Sequence, residues 1–277
     1  MADDDILLDS LQRPIDPAAP TVCLLGNSHS QAYRHALASN SAPFDGVTLD
    51  FFSGNLAALQ TLSVQGDAFV TDHDGLCKRW SRNPPHKAKI RPADYDAFVL
   101  VGLGVDYMLA LRALAKLDLF SHSAGQRLIS RAAFRAIIAE NFKLSFAYFM
   151  VRNLREMTDA PIALIVTPRP GETLIERPAY SRYTQDDGMA VIGEAGSMTE
   201  EVAYEIFGGD VRLVLPDPAL SASSGLTRRD MMRSGGEEWD GLEPHDDGYD
   251  HVHMNAGYAR HMLDCFAPVF AELLASR

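Results

Sequence analysis

Five short runs rich in apolar residues punctuate this chain, and stretches with helical spacing separate them. The runs are Thr21–Leu25, Val47–Phe52, Ala97–Val101, Pro161–Val166 and Val211–Leu215, and none exceeds six residues. Runs this short and this apolar suit strands buried on both faces. Helical patterning lies between or after most of them: about Ser30 to Ala38, Asp106 to Leu117, Arg131 to Met157, Met189 to Phe207, and Asn255 to Ala275. Alternation of this kind predicts an α/β fold with a mainly parallel sheet covered by helices on both sides. In such sheets ligands bind at the carboxyl ends of the strands.

Residues 1–20 are acidic, contain proline and read as an N-terminal arm; residues 21–277 read as one domain. Residues 71–95 read as an irregular excursion. Segments 171–188 and 218–249 read as decorations, the second within a long surface loop over 216–249 rich in Pro, Gly, Ser and Asp. Hydrophobic residues make up 47% of the 277, enough for a sizeable core. The net charge of −12 argues against a nucleic-acid partner and against an anionic membrane surface. No apolar run is long enough to span a bilayer, and Met-Ala-Asp-Asp-Asp-Ile-Leu-Leu has no basic or long apolar segment, so no signal peptide is expected. The expected location is cytoplasmic. Cys23, Cys77 and Cys265 are far apart and odd in number, so they are expected to be free thiols.

Two stretches carry chemistry. Gly26-Asn27-Ser28-His29-Ser30 follows the first run and precedes a helix. It places a serine where a helix N-terminus directs backbone N–H groups. Gly26 permits a tight turn. The Gly-x-Ser-x-Gly elbow is absent here. Asp250-His251-Val252-His253-Met254-Asn255 offers an acid and a base three residues apart. A serine needs such a base, and the base needs an orienting group. The competing reading of Asp-x-x-His is a helix start capped by Asp250 or Asn255, with His253 merely packed. Otherwise a turn entering the last helix would present both side chains together.

These stretches resemble the SGNH/GDSL hydrolase superfamily. Gly26-Asn27-Ser28 is similar to its first block, with Asn for Asp. Asp250-His251-Val252-His253-Met254-Asn255 is similar to its last. The resemblance implies a flavodoxin-like three-layer α/β/α sandwich. It implies Ser28 as nucleophile, His253 as base and Asp250 as orienting acid. It also implies an oxyanion hole made from the Ser28 N–H, a glycine N–H after the second strand, matched by Gly54, and an asparagine after the third. Here the third block reads Gly102-Leu103-Gly104-Val105-Asp106, with glycine in the asparagine's place. Either Asn55 or a backbone N–H near Gly104 stands in, or turnover is low.

Asn27, His29, Asn55 and Arg169 are the candidate substrate contacts. His29 and Ser30 can equally start a helix, and Arg169 can equally form a surface ion pair. His245, Asp246, Asp247, Asp250, His251 and His253 form a polar cluster without a recognisable ligand spacing, so no metal is expected. Gly102-Leu103-Gly104 lacks the rest of a dinucleotide pattern, so no cofactor is expected. Phe142, Phe146, Tyr148 and Phe149 read as core. The expected activity is hydrolysis of small acyl esters, on a small molecule or a carbohydrate. A binding or assembly protein on the same scaffold and an O-acyltransferase are the alternatives. The oligomeric state is open.

Overall fold

The computed structural model describes residues 19–39, 44–82, 87–114, 116–119, 127–184, 186–234 and 249–275. The N-terminal arm through residue 18 lies outside them, as does the 235–248 part of the late loop.

Five parallel strands form the central sheet: β1 (Thr21–Gly26), β2 (Thr48–Ser53), β3 (Ala97–Val101), β4 (Ile162–Ile165) and β5 (Arg212–Val214). Their spatial order is β2-β1-β3-β4-β5. This is the flavodoxin-like arrangement, and its strand order reverses between β1 and β3. Gly26 pairs with Ser53 on one side and Val101 on the other, so the segments after all three strands emerge together at one edge.

Strand side chains alternate between two cores. Val22, Leu24, Val99, Ala163 and Ile165 face one layer. That layer holds α1 (Ser30–Ser39) and the last helix, Ala256–Ala275, which packs on α1. Cys23, Leu25, Phe98, Leu100, Ile162 and Leu164 face the other. On that side lie α2 (Asp74–Arg82), α3 (Tyr107–Leu114), α4 (Arg131–Lys143), α5 (Phe146–Met157) and α6 (Asp186–Phe207). The last helix is therefore α7. The three layers match the sequence expectation. Among the described residues no helix is long and apolar enough to cross a membrane.

Three local expectations need correction. The 71–95 excursion contains α2, which buries Leu76 and Trp80 and whose indole donates to the Ser53 carbonyl at 3.1 Å. Its charged residues mask a short amphipathic face. The predicted helix over Arg131–Met157 is two helices. Ser145 breaks it because its hydroxyl caps α5, accepting from the Tyr148 N–H at 3.2 Å. The late loop is not all surface: β6 (Met232–Ser234) pairs antiparallel with β7 (Tyr249–Met254). Its register shifts between Met232 and Arg233, which sets Arg233 opposite Asp250. Asp250 and His253 thus sit on a strand, not on a turn entering a helix. Phe142 and Phe146 are core, as expected, and Tyr148 and Phe149 pack against it.

Candidate active site

The turn from β1 to α1 is held by its own backbone. The Ser30 N–H and Ser30 hydroxyl both donate to the Asn27 carbonyl, at 2.9 and 2.7 Å, and the Gln31 N–H donates to the Ser28 carbonyl at 3.2 Å. Gly26 is needed for close approach: a Cβ there would fall 2.4 Å from Ser30 Cβ and 3.0 Å from Val101 Cβ. Ser28 is left projecting at the sheet edge, with a backbone N–H that finds no acceptor among the described residues.

Strand β7 brings its polar side chains to that hydroxyl. Ser28 Oγ lies 2.9 Å from His253 Nε2, across a separation of 225 residues. His253 Nδ1 lies 2.6 Å from Asp250 Oδ2. A carboxylate only accepts, so Nδ1 carries the proton and Nε2 is free to accept from the serine. Asp250 Oδ1 takes the Val252 and His253 N–H groups at 2.9 and 3.2 Å. Burial pushes the Asp250 carboxyl up, but the hydrogen bond and charge of His253 and the two backbone donors outweigh it. The group is held well below the usual carboxylate range. This is the arrangement in which a hydroxyl proton can pass to an imidazole and the imidazolium is stabilised behind it.

The sequence did not reveal Arg233. Its side chain is buried like that of Asp250, and its guanidinium donates to Asp250 Oδ2 at 2.9 Å. Asp250 Oδ2 therefore serves His253 and Arg233 together. The available signal was weak: one of three arginines, after Met231-Met232, within a polar tract.

His29 lies against the candidate base, with ring centroids 5.0 Å apart and planes tilted by 36°. Its Nδ1 is buried and has no partner among the described residues. Burial, then the neighbouring His253 charge, lowers its pKa to about 3. His29 therefore stays neutral at neutral pH. No direct hydrogen bond joins it to the relay.

Asn27 is buried against the third block. A Cβ on Gly102, whose φ is +73°, would fall 2.8 Å from Asn27 Oδ1 and 3.2 Å from Nδ2. Oδ1 accepts the His29 N–H at 3.1 Å, which assigns the amide orientation and leaves Nδ2 as a donor. The Gly104 N–H, at a φ of +93°, also finds no acceptor among the described residues.

Three candidate residues are committed elsewhere. The Gly54 N–H continues the sheet ladder to the Gly26 carbonyl at 3.3 Å, so it is not a free oxyanion donor. The glycine serves packing instead, because a Cβ there would meet Leu76 Cδ1 at 2.8 Å. The Asn55 side chain caps the single turn Leu56–Leu59 through the Ala58 N–H at 2.7 Å. Asn255 likewise caps α7, accepting from the Tyr258 N–H at 3.0 Å. Arg169 pairs with Glu200, donates to the Gly225 carbonyl at 3.1 Å and lies over the Tyr107 ring. That is the ion-pair role, partly buried. Of the polar loop cluster, His245, Asp246 and Asp247 lie outside the described residues, and Asp250 and His253 belong to the relay.

No family model matches the chain, and no curated protein does. Solved structures similar to it include a GDSL-like lipase from Bacteroides thetaiotaomicron, at 9% identity and a TM-score of 0.38, covering 98% of this chain and 97% of that one. A DUF4886 family protein from Bacteroides uniformis is 16% identical with a TM-score of 0.42, covering 94% and 84%. The C-terminal catalytic domain of peptidoglycan O-acetyltransferase A from Streptococcus pneumoniae is 10% identical with a TM-score of 0.32, covering 93% and 94%. The fold assignment itself rests on the strand order.

Two outcomes are expected. Arg233→Met removes one partner of a buried ion pair, which costs about 3–5 kcal/mol. Urea unfolding should show that loss, and Arg233→Lys should recover part of it. His29 binds a proton more readily unfolded, near pH 6.5, than folded, near 3. Its contribution to stability is complete above about pH 6.5 and is lost as pH falls through that window. Urea midpoints between pH 7 and 4.5 should therefore fall less steeply in His29→Leu than in wild type.

Proposed function

We propose that the chain is a serine-dependent acyl-ester hydrolase in which Ser28 attacks the acyl carbonyl. His253 takes the serine proton at Nε2, and Asp250 holds the resulting imidazolium through Nδ1. The proton then passes to the leaving alcohol. Water, deprotonated by the same imidazole, releases the acid from the acyl-serine. The single observation that carries this reading is the continuous hydrogen-bonded path from Ser28 Oγ through His253 to Asp250.

The oxyanion needs donors that are present before the charge develops. The Ser28 N–H, the Asn27 Nδ2 and the Gly104 N–H are among the groups near the β1 and β3 ends that have no acceptor among the described residues. An aspartate at position 27 would accept the His29 N–H equally well but would donate nothing. The asparagine therefore adds a donor beside a third block that has lost one. Small acyl esters, including acetyl groups on carbohydrate, are the proposed substrates, and an acceptor sugar in place of water would make the same site an O-acyltransferase.

One observation favours a second reading, a weakly active or inactive binding scaffold: the Gly54 N–H and the Asn55 side chain are both engaged. A fluorophosphonate probe with p-nitrophenyl acetate turnover separates the two. Wild type should be labelled and active, and folded Ser28→Ala should show neither. Absence of labelling in folded wild type would sink the hydrolase reading. Product analysis with an added alcohol separates hydrolysis from transfer. Asn27→Asp should keep its fold and lose about 10²–10³-fold in turnover, the usual cost of one oxyanion donor; unchanged turnover would remove Asn27 from that role.

A further inference from the structure

We propose that Asp217, His261 and Cys265 form a binding site for a divalent transition-metal ion of the zinc type. The site shares no residue with the Ser28–His253–Asp250 relay and does not depend on the function proposed for it. His261 and Cys265 are four residues apart on α7, so they present their side chains on one face. Asp217 comes from the segment after β5, at the N-cap of the turn Pro218–Leu220.

The three side chains already converge. His261 Nε2 lies 2.6 Å from Asp217 Oδ2, and Cys265 Sγ lies 3.4 Å from the same oxygen. All three ligand atoms fall within 4.8 Å of one another. Tetrahedral zinc at its usual bond lengths spaces N, O and S ligands about 3.3–3.6 Å apart. Binding therefore asks that the His–Asp pair open by about 0.7 Å, while the His and Cys ligand atoms, no more than 4.8 Å apart, need close by about 1.2 Å at most. Asp217 is preorganised for this: Oδ1 accepts the Ala219 N–H at 2.9 Å, which leaves Oδ2 facing the other two. Among the described residues no other set of three His, Cys, Asp or Glu side chains is gathered in this way.

The donor set selects the ion. One carboxylate, one neutral imidazole and one thiolate balance a 2+ charge, and the thiolate favours zinc over magnesium or calcium. Cys265 releases its thiol proton to solvent as it binds. Cys265 is exposed, and the side chains of His261 and Asp217 are 40% and 27% exposed, so a fourth position is open to water. The ion would tie the segment after the edge strand to the helix that begins three residues beyond His253.

Cobalt titration of the full, untagged chain tests the site, because a thiolate ligand gives cobalt(II) a near-ultraviolet charge-transfer band. The expected result is one cobalt per chain, displaced by zinc, with the band lost in Cys265→Ser and kept in Cys77→Ser. His261→Ala and Asp217→Asn, shown folded by circular dichroism, should weaken zinc binding by at least the roughly 10–100-fold that loss of a supporting group causes. Zinc should raise the melting temperature of wild type and not of Cys265→Ser. No band with folded wild type would overturn the proposal and leave a plain His261–Asp217 ion pair. A band that survives in Cys265→Ser, or zinc binding unchanged in His261→Ala, would also overturn it and place the metal elsewhere.

Discussion

The buried carboxylate of Asp250 is the group on which the rest of the site depends. A charge taken out of water is tolerated only when its lone pairs are used and an opposite charge or strong donors face it. Asp250 meets that demand from two strands. Its own strand supplies the Val252 and His253 N–H groups and the His253 ring, and β6 supplies Arg233. The bulge between Met232 and Arg233 is what brings the guanidinium opposite Asp250. Once the carboxylate is satisfied in this way, the imidazole has one orientation left, with Nε2 toward β1.

The other half of the site comes from the sheet. β1 and β3 are neighbours at the point where the strand order reverses, the place at which open α/β sheets bind ligands. The site lies at their carboxyl ends. The Asn27–Ser28 turn and the Gly102–Gly104 turn border it. Packing there is tight enough that glycine is required at Gly26 and Gly102 for steric reasons. Gly102 leaves the space that the Asn27 amide fills. Asn27 and Gly104, far apart in the sequence, thus lie on adjoining turns.

His29 illustrates how packing sets chemistry. Its ring adjoins the His253 ring, and two adjacent imidazoliums would repel. Burial resolves the conflict by keeping His29 neutral, with a pKa lowered to about 3. His253, by contrast, has the Asp250 carboxylate behind its Nδ1. The price is a buried nitrogen, Nδ1, without a partner among the described residues.

The strands were legible in the sequence because strand burial is a local property. Ala97–Val101 is apolar at every position and buried at every position, and its ends were read without error. Ser28, His253 and Asp250 were legible because each stands beside a short block of distinctive residue types. The helix break at Ser145 and the strand at Met232–Ser234 were not legible. A serine within a helical pattern caps only if a neighbour ends there, and a three-residue strand exists only if a partner strand reaches it. The same reason explains Arg233, whose role is fixed by a pairing 17 residues away. It explains Gly54 and Asn55 as well, whose donor and acceptor groups were claimed by the Gly26 carbonyl and the Ala58 N–H. Local pattern thus determined which segments are buried and which residue types are chemically able. Tertiary structure decided which polar groups are left uncommitted, because a hydrogen-bonding group is available to a substrate only after the fold has satisfied its own.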